Sequence, residues 1–258
     1  MRPASRRERQ IIEVARLIRD RSCYIVGTGL PLLGAALGKR CFAPQAELLL
    51  ESGFIGVAPQ EVPSSVTDLR LMCTAGVVWD SFRYMGLQVN ACLSGRHDLT
   101  AFIGGAQIDP FGNVNSTMIG SYDQVQVRFA GSGGANGIAT YCDTIVVMRH
   151  DRRRFVERVD YLTCPGWLDG PGGREKRGLP PERGPRWVVS DLGRLGFDHR
   201  SRRMYLDGWY DFTTPGEIQE QTGFELDVSQ ARPLPPPEED ILRILREEID
   251  PHGIYIGG

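Results

Sequence analysis

Short apolar runs that end in glycine turns constrain this chain more than any other feature. Cys23 to Val26 runs into Gly27-Thr28-Gly29, and Leu48 to Leu50 runs into Glu51-Ser52-Gly53. Leu99 to Ile103 ends at Gly104-Gly105-Ala106, and Val125 to Phe129 is followed by Gly131-Ser132-Gly133-Gly134. Thr144 to Met148 is a further apolar run of strand length. Between these runs lie helical patterns: an amphipathic stretch from Arg6 to Arg19, a segment from Pro31 to Lys39, and a short helix through Tyr141. Buried strands alternating with helices predict an α/β chain, with a mostly parallel sheet covered by helices on both faces.

The grammar changes after about Asp151. Pro165-Gly166-Trp167 and Asp169-Gly170-Pro171-Gly172-Gly173 predict a long turn-rich loop. Arg186–Ser190, Arg194–Phe197 and Arg203–Leu206 predict short strands joined by tight turns, an antiparallel β-meander. Thr214-Pro215 starts a short helix, and a terminal acidic helix runs from Glu238 to about Asp250. No repeat or interdomain linker interrupts the 258 residues, so residues 1–258 are expected to form a single domain with a substantial core.

Charge and composition limit the function classes. A net charge of −2 argues against general nucleic-acid binding. The Arg-rich N-terminus leads into an amphipathic segment and not an apolar signal core, and no run is long enough to span a bilayer; a soluble cytoplasmic protein is expected. The six cysteines (23, 41, 73, 92, 142 and 164) include no C-x-x-C pair, so no metal site is expected and buried reduced thiols are.

Glu51 is the side chain best placed for chemistry. A carboxylate at the carboxyl end of a buried strand stands where open α/β sheets place ligands. It serves there as nucleophile, as general acid or base, or as a cap or ion-pair member. The turn Gly131 to Gly137 exposes consecutive backbone N–H groups that suit a carboxylate, a phosphate or a developing oxyanion, and equally suits a plain loop. Gly27-Thr28-Gly29 lacks the third glycine of a dinucleotide fingerprint, and its plain reading is a tight strand-to-helix turn. The run Arg149 to Arg154 reads as a solvated turn or as a contact for phosphates. Asn113 and Asn115 suit turn-stabilising bonds to their own backbone, and Gln107 and Asn136 suit turn stabilisation or a ligand pocket alike.

Several segments together carry a resemblance. VGTGLPLLGAALGKR (26–40), LLLESGFIG (48–56), EVPSSVTDLR (61–70), AFIGGAQIDPFGNVNST (101–117), RFAGSGGANGIAT (128–140), DYLTCPGWLDGPGGRE (160–175), TGFELDVS (222–229) and REEIDP (246–251) run along nearly the whole chain. In this order they resemble the class I CoA-transferases, and within them the B (beta) subunit of glutaconate CoA-transferases. The resemblance implies an A (alpha) subunit partner in a heterodimer or higher αβ oligomer, and an active site at the subunit interface. It implies a coenzyme A thioester as substrate, carboxylic acids as the other substrates, and no bound cofactor. Glu51 stands in the place of the family's E-S-G glutamate, which forms first an acyl–glutamyl anhydride and then a glutamyl–CoA thioester. Gly133 and Gly134 stand where the family places the oxyanion donor, and Ser52, Gly53, Gln107, Gly131, Ser132 and Asn136 are expected to line the CoA and substrate site. Other enzymes of this fold are acyl-CoA hydrolases or decarboxylases, and a non-catalytic CoA-ester-binding subunit is the third alternative; an intact E-S-G glutamate favours transfer.

Overall fold

The computed structural model describes residues 2–80 and 99–257. Its contacts divide the chain into two compact units, one of residues 1–102 and 236–258, the other of residues 103–235.

In the first unit, helix α1 (Arg6–Arg16) begins at a capping box, in which the Ser5 hydroxyl accepts from Glu8 N–H and the Glu8 carboxylate accepts from Ser5 N–H. Strand β1 (Cys23–Val26) leads to α2 (Leu30–Cys41), with Gly29 at its N-cap and Pro31 in its first turn. Gly34 and Gly38 let α1 pass close over α2. A Cβ at either position would lie 2.3 Å from Val14 Cγ1 or 2.4 Å from Ile18 Cγ1. Strand β2 (Glu47–Leu50) pairs in parallel with β1, which pairs in parallel with β5 (Leu99–Ile103) on its other side. Leu48, Leu50 and Val26 are fully buried, as a parallel sheet requires.

After β2 the chain does not cross over to a helix. It turns back through Glu51 to Gly53 into β3 (Phe54–Ile55), which pairs antiparallel with β2 and with β4 (Val77–Val78). A one-turn helix, α3 (Leu69–Met72), capped by Asp68, lies between β3 and β4. Phe54 and Ile55, which directly follow the Glu51-Ser52-Gly53 turn, form a strand held between β2 and β4. Gly53 makes the reversal feasible. Its φ is +90°, its N–H donates to Leu50 O at 2.9 Å, and a Cβ there would sit 2.0 Å from Trp79 O. The unit closes with α7 (Glu239–Ile244) and a π-helical turn (Leu245–Ile249), whose Arg246 pairs with the buried Glu8 at 2.6 Å.

The second unit places parallel β10 (Asp143–Val147) and β11 (Pro185–Val189) beside an antiparallel meander of β11, β12 (Gly193–Phe197) and β13 (Met204–Trp209); β14 (Arg232–Pro233) adds a parallel edge. The predicted meander is present, as is the short helix α6 (Pro215–Glu220), capped by Thr214. A small ladder joins β6 (Gln107–Ile108) to β7 (Val114–Asn115). The predicted strand at Val125–Phe129 departs from expectation. It is β9 (Gln124–Arg128), every residue of it is exposed, and it pairs only with β8 (Met118–Ser121) in a separate hairpin. Its alternating pattern matches a strand, but its apolar residues Val125 and Val127 face solvent instead of a core.

The core of this unit gathers Ile108, Val114, Val146, Phe155, Val188, Leu195 and Leu206. His150 lies among them. It stacks on Phe155 at 3.7 Å, with Nδ1 3.1 Å from Ser190 Oγ and Nε2 3.0 Å from Thr222 Oγ1. Each hydroxyl is also placed to donate to a backbone carbonyl. A neutral ring donates through one nitrogen and accepts through the other, so one of the two hydroxyls turns its hydrogen to the ring. The cysteine expectation needs correction. Cys142 and Cys164 are buried, but Cys23 and Cys41 are half-buried and Cys73 is exposed; all five are free thiols, and Cys92 lies outside the described residues. No helix among the described residues is long and apolar enough to cross a membrane.

Two measurements check this account. Gly53→Ala must force a side chain at positive φ against a carbonyl oxygen, and we expect a loss of about 2 kcal/mol or more in urea unfolding. A loss below about 0.5 kcal/mol contradicts the contact. Burial lowers the His150 pKa to about 3 from an ordinary 6.5, so the unfolded chain takes up a proton that the folded ring refuses. Stability is therefore full above pH 6.5 and drains as pH falls toward 3. Against His150→Gln, the native chain is expected to lose about 1.4 kcal/mol more per pH unit between pH 6 and 4; parallel stability curves would show the ring to be solvated.

Candidate active site

Parallel register places Glu51 within the first unit. Val26 of β1 lies opposite Leu50 of β2, so Gly27 and Glu51 leave adjacent strands at the same level. Glu51 is exposed at the head of its turn. Its carboxylate has no hydrogen-bond or ion-pair partner among the described residues. Among the described residues no contact supports the cap or ion-pair reading of this glutamate. The residues around it act as its frame. Ser52 Oγ donates to Val66 O at 2.8 Å, tying the turn to the neighbouring loop. Gly53 O accepts from Trp79 N–H at 2.9 Å. Gly27 faces open space, since a Cβ there would meet nothing within 4 Å.

The second unit holds the other predicted residues together in one loop. Gly131 has φ +92° and Gly133 φ +51°, and Gly134 is the N-cap of helix α4 (Ala135–Tyr141). Gly133 and Gly134 are exposed, and their N–H groups have no acceptor among the described residues. A Cβ at Gly131 or Gly133 would meet nothing within 4 Å among the described residues. Such a run of free N–H groups attracts an anionic oxygen. Asn136 lies exposed in the first turn of α4, its carbonyl accepting from the Thr140 hydroxyl at 2.8 Å. Ser132 Oγ donates to Gly133 O at 3.1 Å.

This loop is tied to β7 through Ser116. Gly131 N–H donates to Ser116 O at 3.1 Å, and Ser116 Oγ donates to Gly131 O at the same distance. One residue earlier, Asn115 Nδ2 donates to Gln107 Oε1 at 2.7 Å, and Asp160 N–H donates to the same oxygen at 3.0 Å. Gln107 is buried, and its carbonyl is spent on holding this scaffold. Glu51 and the glycine loop belong to different units, and each stands as described within its own.

The basic run at 149–154 is not one surface. His150 is buried, Arg154 pairs with Asp151, and Arg149, Arg152 and Arg153 are exposed. Sequence reasoning gave Asn113 only local turn bonds and gave Arg174 no role. Buried Asn113 bonds Asp109 Oδ2 at 2.8 Å and Leu168 O at 2.9 Å, and accepts from Gly166 and Leu168 N–H, which knots two loops together. Burial raises the Asp109 pKa to about 6, although three N–H bonds oppose the rise. Arg174 lies in the one-turn helix α5 (Gly173–Lys176) and is 1% exposed. Only an arginine beside two glycines marks it in the sequence, and that is no signal of burial.

Known proteins share both the sequence and the fold. Residues 7–220 match the coenzyme A transferase family. The chain is 50% identical over 250 residues to the B subunit of glutaconate CoA-transferase of Acidaminococcus fermentans, covering 97% of this chain and 94% of that protein. It is 32% identical over 247 residues to the B subunit of 3-oxoadipate CoA-transferase of Pseudomonas knackmussii, covering 94% and 92%. The crystal structure of glutaconate coenzyme A-transferase from A. fermentans superposes with a TM-score of 0.95 at 49% identity, covering 98% of this chain and 97% of that one. With its α/β units, a family match over residues 7–220 and near-complete coverage by these relatives, the chain belongs to the coenzyme A transferase family.

Proposed function

We propose that this chain is the B (beta) subunit of a CoA-transferase that moves CoA between carboxylic acids, one of them a dicarboxylate such as glutaconate, with Glu51 as covalent nucleophile. The observation that carries this reading is the Glu51 carboxylate itself, exposed at the end of β2 and engaged by no described partner. The 50% identity to the B subunit of a glutaconate CoA-transferase supports the substrate class.

The chemistry follows from that carboxylate. A Glu51 oxygen attacks the thioester carbonyl carbon, the C–S bond breaks, and CoA leaves as thiolate with an acyl–glutamyl anhydride behind it. The thiolate then attacks the glutamyl carbonyl of the anhydride. The first acid departs as carboxylate, and CoA is now held on Glu51 as a thioester. The second acid reverses both steps. Gly133 and Gly134 donate their N–H groups to the oxyanion that develops on the thioester carbonyl. Ser52 and Gly53 hold the nucleophile's turn, while Gly131, Ser132, Gln107 and Asn136 shape the acyl and CoA side. The whole of 1–258 acts as one subunit, with the CoA thioester as substrate and no resident cofactor.

The partner follows from exposure. Water stabilises a free carboxylate and weakens it as a nucleophile, so efficient attack requires that Glu51 be covered. In this reading the A subunit supplies that cover, and the site is complete only in the heteromer, within the cytoplasm.

The test is CoA exchange by the complex assembled with its companion chain. Glu51→Ala is expected to lose at least about 1,000-fold in exchange. Glu51→Asp, which draws the carboxylate back by one methylene, is expected to lose about 100-fold. Exchange at native rate in Glu51→Ala contradicts the covalent role, and release of free CoA without an acceptor acid points to a hydrolase instead. Gly134→Pro deletes one N–H at a residue whose φ of −78° already suits proline. We expect kcat to fall about 100- to 1,000-fold with little change in stability.

A further inference from the structure

Arg174 is the most deeply buried cation described in the second unit, and no carboxylate touches it. Its guanidinium is satisfied by backbone carbonyls. Nε donates to Pro180 O at 2.9 Å, and Nη1 donates to Gly166 O at 2.9 Å and to Pro165 O at 3.4 Å. Nη2 donates to Thr140 O at 2.6 Å, and both terminal nitrogens reach Ala139 O at 3.4 Å. Asp143, which acts on it at longer range, is already paired with Arg183 and Arg186. Burying an arginine in this way is costly unless the carbonyls it meets need a donor.

They do. Ala139 and Thr140 lie in the last turn of α4, where carbonyls lack intrahelical partners and the helix dipole favours a cation. The helix is seven residues long, and its first turn starts at Gly134. A cation clamped on one end thus sets the axial position of the other, less than two helical turns away. The same fork grips Pro165 and Gly166, and Gly166 N–H is bonded to the Asn113 knot. Gly131, at the other end of the loop, is held by Ser116. The glycine turn is therefore fixed at both ends, while the Gly133 and Gly134 N–H groups have no acceptor among the described residues.

We propose that Arg174 is a positioning residue for the oxyanion turn, bracing α4 from its C-terminal carbonyls so that the Gly133 and Gly134 N–H groups keep their aim. The inference rests on the reading of those N–H groups as oxyanion donors. It adds a residue that touches no reacting atom. Lysine retains the cation but not the planar fork, so it cannot bridge five carbonyls at once.

The experiment uses the assembled complex with Arg174→Gln and Arg174→Lys, assayed well below each variant's melting temperature. We expect kcat to fall about 10-fold in Arg174→Gln and by less in Arg174→Lys, with KM for the acyl-CoA within about twofold of native. Amide hydrogen exchange in residues 131–138 should quicken in both, while the β11–β13 meander keeps its native protection. Should Arg174→Gln fail to assemble, Arg174→Lys carries the same comparison. Native kcat in Arg174→Lys, or a loss of rate that only tracks the loss of folded complex, overturns the brace. If Gly134→Pro is slow and the Arg174 variants are not, the brace alone fails; if Gly134→Pro keeps native kcat, the oxyanion reading fails and takes the brace with it.

Discussion

The contact between Gly53 and the Trp79 carbonyl governs what this chain can present. Any side chain at position 53 would occupy the place of that oxygen, and the backbone there stands at positive φ. Without the contact, β2 cannot fold back into β3, and β4 has nothing to pair with. The turn would open, and Glu51 would no longer be held at the end of its strand. A carboxylate with no partner among the described residues is positioned there by its backbone. Here the backbone is secured by Leu50, Val66 and Trp79, none of which neutralises the charge.

The glycine loop of the second unit follows the same design with different parts. Its donors are left free while its flanks are fixed: Ser116 at one end, and α4 with Arg174 at the other. Beneath it, the Gln107–Asn115 and Asp109–Asn113 pairs spend buried polar groups on loop backbone. Such networks cost desolvation but hold one geometry, which suits groups that must not reorganise during a reaction. Each unit thus pairs a polar group that has no partner among the described residues with a scaffold that has many.

Much of this was legible in the residues. Cys23–Val26 and Leu99–Ile103 are strands at the expected bounds, because a short apolar run closed by glycines permits little else. The meander and its Thr214-capped helix were equally plain. Periodicity misled at Gln124–Arg128, where alternation marks a strand but does not say which face is covered. It also could not tell that the chain after Glu51 turns back instead of crossing over, since a two-residue strand leaves no period to detect. Burial of charge was the least legible: Arg174 and Asp109 look like surface residues until loops far apart in sequence close over them. Glu51 was marked by its motif, but only the fold shows that no described residue partners it.

The central claim is that Glu51 takes the CoA group covalently. The direct measurement is the mass of the Glu51-containing peptide after the assembled complex meets an acyl-CoA with no acceptor acid present. The account predicts that this peptide gains one CoA less one water, and that the adduct disappears when a carboxylic acid is added. Steady CoA exchange with an unmodified Glu51 peptide, or an adduct on a different residue, would contradict it.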